Sequence, residues 1–243
     1  LTSATPGDDT HASAVGVQRH QDGSADIILF GRDGPKQWAL TALPRDLSGA
    51  FVDPKTGVPL ASGAGTFEFS AMTIADLDRE GHDDIAVAGE PSMILWGDPE
   101  RVVHEQQLIT DDFVTRITHA DLDGDGAPTL IVATAHGLMR IDFTGRSQAA
   151  PVLLARRNAL PTSLHFADLE ADGRADILHI ADNILDITLR APTGDDRFLI
   201  SLEPAWSQLR AADLDGDGIL DLLGLQDGNL VTRLSAPQPV EAP

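Results

Sequence analysis

The residues best suited to chemistry in this chain are the carboxylates of residues 213–221, whose sequence is Asp-Leu-Asp-Gly-Asp-Gly-Ile-Leu-Asp. Carboxylates occupy positions 1, 3, 5 and 9 of this segment, and position 6 is Gly218. Alternate side chains of a tight loop converge on one point, the glycine allows a sharp turn, and the Ile219 carbonyl at position 7 adds an oxygen. Such an all-oxygen set suits a hard cation, and Ca²⁺ better than Mg²⁺, because Ca²⁺ accepts more ligands in looser geometry.

The same acidic pattern recurs along the chain, and the copies are numbered here in chain order. Loops 2, 3, 4 and 5 span 76–84, 121–129, 168–176 and 213–221, and their first residues lie 45, 47 and 45 positions apart. Loop 1, at 18–26, is a degenerate copy that begins 58 residues before loop 2, so an insertion of about a dozen residues separates them. A period in the mid-forties predicts supersecondary units that stack on their neighbours.

The apolar segments around each loop predict four short strands per unit. The first strands are predicted at 66–75, 113–120, 162–167 and 206–212, and the second at 85–88, 130–133, 177–180 and 222–225. The third are predicted at 93–96, 138–143, 184–189 and 230–234, and the fourth, in three units, at 102–109, 151–156 and 197–202. Short strands with turn signals every 8 to 12 residues indicate an all-β protein.

Four strands per unit at this period are typical of a propeller blade. We therefore predict one β-propeller domain over residues 1–243 with about five four-stranded blades, although an open fragment of a larger ring is an alternative. An N-terminal segment is expected to supply the outer strand that the last unit lacks before the Pro-rich tail, 236–243. The first unit has predicted strands at 11–18, 26–30 and 37–43, and residues 44–65 hold the insertion, either a recognition loop or an inert surface loop.

Composition limits the classes of partner. The net charge is −21, and 18 of the 38 acidic residues lie in the five loops (with Asp83 included), so nucleic acid and anionic lipid are poor partners. The absence of cysteine excludes disulfides and thiolate metal sites. No apolar run is long enough to span a membrane. Weak Ca²⁺ modules use extracellular calcium, which favours a periplasmic, cell-surface or secreted location.

With these loops and this period, the chain resembles the FG-GAP/VCBS repeat family of calcium-loop propellers, found in integrin α-subunit heads and many bacterial secreted proteins. The resemblance covers roughly residues 11–235. It depends on the Ala-Asp-Leu-Asp/Glu starts at Ala75, Ala120, Ala167 and Ala212, on glycines 81, 126, 173 and 218, and on the apolar strand after each loop. It implies that each loop joins the first and second strands of a blade and holds one Ca²⁺.

The resemblance also implies a ligand set. The side-chain ligands would be Asp76, Asp78, Glu80 and Asp84; Asp168, Glu170, Asp172 and Asp176; and Asp213, Asp215, Asp217 and Asp221. The position-7 residues, which would contribute carbonyl oxygens, are His82, Ala127, Arg174 and Ile219. Loop 3 keeps Asp121, Asp123 and Asp125 but has Thr129 at position 9, so weaker binding is expected there. Loop 1 has Gln18 and His20 in place of acids and is expected to bind no metal.

Two other interpretations of the loops are less favoured. An EF-hand needs an acid at position 12, and that position holds Val87, Val132, His179 and Gly224. Metal-free Asx turns would explain one copy, but four loops with three or more acids each would suffer strong mutual repulsion without a cation.

The sequence contains no HExxH, G-x-S-x-G, P-loop or dinucleotide-binding pattern. His119 and His165 are expected to be ordinary strand residues, and Trp38, Trp96 and Trp206 to serve packing. We therefore expect a non-catalytic protein-interaction or adhesion module, with a protein partner in a larger assembly or a glycan. The alternative is a lectin or a polysaccharide lyase-like enzyme, which would need a basic cleft, and the chain has only Lys36 and Lys55 as lysines.

Overall fold

The structure of the 243-residue chain is a computed structural model. It describes residues 12–20, 24–32, 37–43, 58–64, 72–89, 91–97, 104–108, 110, 113–156, 163–191, 194–202 and 204–233. Every regular element in these residues is a β-strand, and the strands form small antiparallel sheets, so the all-β prediction is confirmed. Within the same residues no helix has the length and apolar character needed to cross a membrane.

The chain divides into two compact units. Residues 1–119 and 127–158 form the first unit, and residues 120–126 and 159–243 form the second. The single domain over residues 1–243 stays a prediction.

The first unit contains three four-stranded sheets. Sheet 1 consists of β1 (Ala12–Arg19), β2 (Ala25–Arg32), β3 (Gln37–Leu43) and β4 (Val58–Ala64), and sheet 2 of β5 (Met72–Ala75), β6 (Asp84–Val87), β7 (Met93–Trp96) and β8 (His104–Gln107). Sheet 3 consists of β9 (Val114–Ala120), β10 (Thr129–Thr134), β11 (Gly137–Ile141) and β14 (Val152–Arg156). A small hairpin of β12 (Phe143–Thr144) and β13 (Ser147–Gln148) is inserted before the last strand of sheet 3.

The second unit contains two sheets. Sheet 4 consists of β15 (Ser163–Ala167), β16 (Asp176–Ala181), β17 (Ile184–Leu189) and β18 (Asp196–Ser201). Sheet 5 has three strands among the described residues, β19 (Leu209–Ala212), β20 (Asp221–Gln226) and β21 (Asn229–Arg233). In all five sheets, strands that are consecutive in the sheet pair antiparallel, as a meander requires.

The second strand is the most buried element of sheets 2, 3 and 4. All residues of β6 and β10 are buried, and so are five of the six residues of β16. These strands lie between two partners and are covered on both faces, which explains why they appear in the sequence as continuous apolar runs. The turn that follows β16 has positive φ at both Asp182 and Asn183, the geometry that keeps a two-residue hairpin compatible with strand twist.

Separate hydrophobic cores lie within each unit. In the first unit, one core gathers Ile94, Trp96, Leu130 and Ile141, and another lies around Ile28, Leu40 and Ile85. In the second unit, the core includes Leu178, Leu185 and Leu209. Side chains of neighbouring sheets meet in these cores, so each sheet depends on its neighbour for burial.

The main departure from the predicted strands lies in sheet 1. Residues 44–65 were predicted as a loop, but 58–64 form β4, which pairs with β3. The sequence Val-Pro-Leu-Ala-Ser-Gly-Ala has low strand propensity, and Pro59 is tolerated because β4 is an edge strand with a register shift beside that residue. The expected closing strand near the N-terminus and the tail 236–243 lie outside the described residues.

Candidate metal centres

Loops 2 to 5 occupy equivalent places, each between the first and second strands of its sheet. In each one, the position-1 aspartate accepts a hydrogen bond from the amide of the position-6 glycine. The pairs are Asp76 with Gly81 (2.9 Å), Asp121 with Gly126 (2.8 Å), Asp168 with Gly173 (2.8 Å) and Asp213 with Gly218 (3.0 Å). The four glycines have φ between 80° and 87°, a conformation that side chains with a Cβ rarely adopt.

The position-9 aspartate fixes the loop to the sheet. Asp84, Asp176 and Asp221 are buried at the start of the second strand, and each accepts a hydrogen bond from the amide of the position-2 leucine. The other oxygen of Asp84 accepts the amide of Gly97, and that of Asp176 accepts the amide of Arg190, each just after the third strand. Sequence reasoning assigned these aspartates only as ligands and missed this structural role.

Burial also changes the proton affinity of these groups. Burial raises the pKa of Asp84 to about 7, against the opposing effect of the amide donors of Gly97 and Leu77. Burial likewise raises the pKa of Asp176, again against two amide donors. A nearby cation would favour the charged form of both carboxyls and would lower their pKa values. A metal ion bound in these loops would therefore offset the cost of burying the two charges.

Loop 2 brings three carboxylates together. Oxygens of Asp76, Asp78 and Asp84 lie within 4.8 Å of one another. The Oδ1 atom of Asp76 is buried and has no hydrogen-bond partner among the described residues. A buried carboxylate oxygen without a donor is costly, and a cation is the usual remedy, so the residues of this loop fit a metal ion.

A guanidinium group approaches one of these carboxylates, that of Asp78, and also Glu80 of the same loop. Arg146, in the turn of the β12–β13 hairpin, donates from Nε to Asp78 Oδ2 (3.3 Å) and from Nη2 to the Gly97 carbonyl (3.1 Å). Its Nη2 also lies 3.6 Å from Glu80 Oε2. The Asp78 side chain is 1% exposed, so its contact with Arg146 is largely shielded from water. No sequence signal pointed to Arg146, because it belongs to the neighbouring sheet.

Loop 5 also gathers three carboxylates, those of Asp213, Asp215 and Asp221, within 4.8 Å. Here Asp213 and Asp215 are exposed and only Asp221 is buried. Among the described residues, Asp213 and Asp215 accept hydrogen bonds only from backbone amides of their own loop. The carboxylate of Asp217 accepts the Ile219 amide (2.8 Å).

Loops 3 and 4 are less convergent. Within the described residues, neither brings three carboxylate oxygens within 4.8 Å. Asp121 accepts three amides of its own loop, and Asp168 accepts two, those of Asp172 and Gly173. Three further predicted ligands of these loops are exposed: Asp123, Asp125 and Glu170. Of the two predicted position-7 residues, Ala127 is buried, and the amide of Arg174 donates to Asp172 (2.9 Å).

Loop 1 uses its side chains for protein contacts. His20 Nε2 lies 3.0 Å from Asp26 Oδ2, and the Gln18 side chain donates to the Asp83 carbonyl (2.8 Å). The Arg19 amide donates to Asp83 Oδ2 (2.7 Å). Loop 1 is thus joined to loop 2 through Asp83, an acid that the repeat pattern does not include.

The two histidines singled out from the sequence lie on first strands, as predicted. The His119 ring Nδ1 is 2.6 Å from Thr73 Oγ1, and burial lowers its pKa. Burial, together with the nearby Arg210, lowers the pKa of His165. The described contacts of both histidines are those of partly buried strand residues.

Comparison with known proteins agrees with the repeat assignment. Residues 120–179 match the model of the FG-GAP-like repeat. No curated protein matches the chain significantly.

Two solved structures are similar to most of the chain. A chain of the Tc holotoxin pore of Photorhabdus luminescens is 21% identical with a TM-score of 0.47, over 91% of this chain and 11% of that one. A Bacteroides caccae protein of unknown function is 16% identical with a TM-score of 0.48, over 90% of this chain and 73% of that one. This chain thus spans about a tenth of the length of the toxin chain. The resemblance to the FG-GAP family is thus confirmed by the match over residues 120–179.

Proposed function

We propose that this FG-GAP-like repeat protein is a calcium-stabilised β-propeller that serves as a non-catalytic protein-interaction or adhesion module outside the cytoplasm. The observation that carries the proposal is the acidic loop at the same place in four successive sheets. The five sheets would be five blades of one ring, each loop lying at the turn from first to second strand.

Calcium is the proposed ion because of the donor chemistry. The loops offer carboxylate and carbonyl oxygens and no sulfur, which suits a hard cation. Loops 2 and 5 each gather three carboxylates, and the Asp76 oxygen without a donor supports an ion at loop 2. A bound Ca²⁺ would supply positive charge against the mutual repulsion of these groups. Loop 4 remains a proposed site with a less convergent ligand set, and loop 3 a weaker one.

The interaction role rests on the repeat and on charge. The family that residues 120–179 resemble includes integrin α-subunit heads and bacterial secreted proteins, which supports an interaction role outside the cytoplasm. A net charge of −21 opposes binding to nucleic acid. We propose a protein partner in an extracytoplasmic assembly, with a glycan as the other ligand class to test.

The first experiment is thermal unfolding with native mass measurement in 1 mM Ca²⁺ and in EDTA. If Kd is about 10 μM, each site contributes about 2.7 kcal/mol at this concentration. We expect EDTA to lower Tm by several degrees per occupied site. A mass above 25.8 kDa that falls in EDTA would identify a calcium-dependent assembly. An unchanged Tm would overturn the calcium proposal.

The enzymatic alternative has its own assay. A polysaccharide lyase would release unsaturated sugar, detected by ultraviolet absorbance after incubation with polyuronides. The proposed non-catalytic role predicts no release, and turnover that disappears on denaturation of the protein would contradict it.

A further inference from the structure

Arg146 contacts carboxylates that a metal ion in loop 2 would also bind, so the two positive charges would compete for them. Its guanidinium contacts Asp78 at 3.3 Å and lies 3.6 Å from Glu80, both proposed ligands of loop 2. It is supplied by the β12–β13 hairpin, which is inserted before the last strand of sheet 3, whereas loop 2 belongs to sheet 2. A positive charge beside an acidic cluster lowers the cluster's affinity for any other cation.

We propose that Arg146 is an internal counter-ion of loop 2, which makes this loop a weaker calcium site than loop 5 and couples calcium binding to the position of the Arg146 side chain. The proposal rests on the proposed function, because it assumes that the acidic loops bind calcium. Loop 5 is the internal reference, since its Asp213 and Asp215 accept only backbone amides among the described residues.

The hairpin has a second anchor that does not depend on charge. Phe143 packs edge-on against Trp96, with ring centroids 5.3 Å apart and planes at 83°. This contact keeps the hairpin beside sheet 2 whether or not the guanidinium is engaged. Calcium binding at loop 2 is therefore expected to release the Arg146 side chain while the base of the hairpin stays packed.

Coupling of this kind is reciprocal. If Arg146 lowers the affinity of loop 2 for calcium, calcium must weaken the Arg146 contacts by the same factor. Gly97 takes part in both, because its carbonyl accepts from Arg146 and its amide donates to Asp84. Its amide signal is thus a local reporter of both the ion and the guanidinium.

The test is a calcium titration of the full chain followed by amide NMR. The Gly81 amide, bonded to Asp76, reports loop 2, and the Gly218 amide, bonded to Asp213, reports loop 5. In the wild type we expect loop 5 to saturate at lower calcium than loop 2, and the Arg146 Nε signal to shift together with that of Gly81.

Three variants separate the charge from other effects. R146Q should raise the calcium affinity of loop 2 about tenfold without changing that of loop 5. R146K keeps the charge and should leave loop 2 weak. R140Q removes an equal charge from the same sheet, where Arg140 pairs with Asp142, and should change neither loop.

Each remaining outcome overturns a defined claim. If loop 5 binds calcium but R146Q leaves loop 2 unchanged or weaker, Arg146 is a structural contact and the inference is wrong. If no loop binds calcium in the wild type or in R146Q, the proposed function fails, and the inference fails with it. If R146Q changes both loops equally, the effect is a general one of net charge, which also contradicts the inference.

Discussion

Loops 2 and 5 carry the same acidic pattern in different surroundings. In loop 2, Asp78 and Asp84 are buried, and Arg146 approaches from the next sheet. In loop 5, Asp213 and Asp215 are exposed and accept only amides of their own loop among the described residues. The same pattern thus brings three carboxylates together in both loops, whereas the surroundings of each loop decide how much of their charge is already balanced.

The largest expected effect separates structural from metal-binding aspartates. At pH 8 in EDTA, D84A should lower the free energy of unfolding by about 4 kcal/mol, because it leaves the buried amide of Leu77 and the partly buried amide of Gly97 without acceptors. D213A removes an exposed carboxylate and should cost about 1 kcal/mol. Urea unfolding of both variants measures the difference.

D84N is the control for shape at this position. It keeps the volume but can offer an acceptor to only one of the two amides, so its stability should lie between wild type and D84A. Equal losses for D84A and D213A would contradict the structural role assigned to Asp84.

The next largest expected effect is a difference between loops 2 and 5 in how much bound calcium stabilises the fold. In 1 mM Ca²⁺, D213N should lower the free energy of unfolding by about 2.7 kcal/mol, for a Kd of about 10 μM. D76N should lower it by only about 1.4 kcal/mol if Arg146 makes loop 2 tenfold weaker. The measurement is denaturant unfolding with calcium and with EDTA.

In EDTA, both of these differences should be much smaller, because the metal contribution is gone. A larger loss for D76N than for D213N in calcium would reverse the order of affinities proposed for the loops.

The smallest effect is a pH dependence in the unit that carries loop 5. The pKa of His165 is lowered from 6.5 in the folded chain, so the unfolded chain binds more protons just below that pH. The contribution of His165 to the free energy of unfolding therefore falls as pH drops below 6.5, opposite in sign to the contributions of Asp84 and Asp176, whose pKa values are raised. In EDTA between pH 7 and 5, H165Q should flatten this dependence by about 1 kcal/mol or less.

The matched control is H136Q, because His136 lies in an exposed turn of the other unit. An identical pH profile for H165Q and wild type would show that His165 carries no part of the acid sensitivity.

Much of the fold was predictable because the same order of strands and turns recurs in several repeats, so each repeat supports the interpretation of the others. The third strands 93–96 and 184–189 have the predicted bounds, since their apolar residues end at clear turn signals. The strand β4 was missed because pairing with β3, and not the propensity of its own residues, makes it a strand.

The candidate sites were predictable only within a loop. Spacing places Asp76, Asp78 and Asp84 on one side of a tight turn, and the structure brings them together. It does not do the same for loop 4, where Asp168 and Asp172 bond amides of their own loop. The contact of Arg146 with loop 2 could not be predicted, because it joins two sheets and no local pattern encodes it.

The position-9 aspartate accepts hydrogen bonds from two distant amides, and this clasp has a consequence for where repeats of this kind can vary in length. Asp84 holds Leu77 on one side and Gly97 on the other, and Asp176 does the same for Leu169 and Arg190. Each clasp encloses the loop, two strands and the turn between them in one hydrogen-bonded circuit. Residues added inside 77–97 or 169–190 must preserve that circuit, whereas the connections between repeats lie outside it. Insertions are thus directed by the clasp to the connections between repeats, where the fold can acquire new surfaces without disturbing its loops.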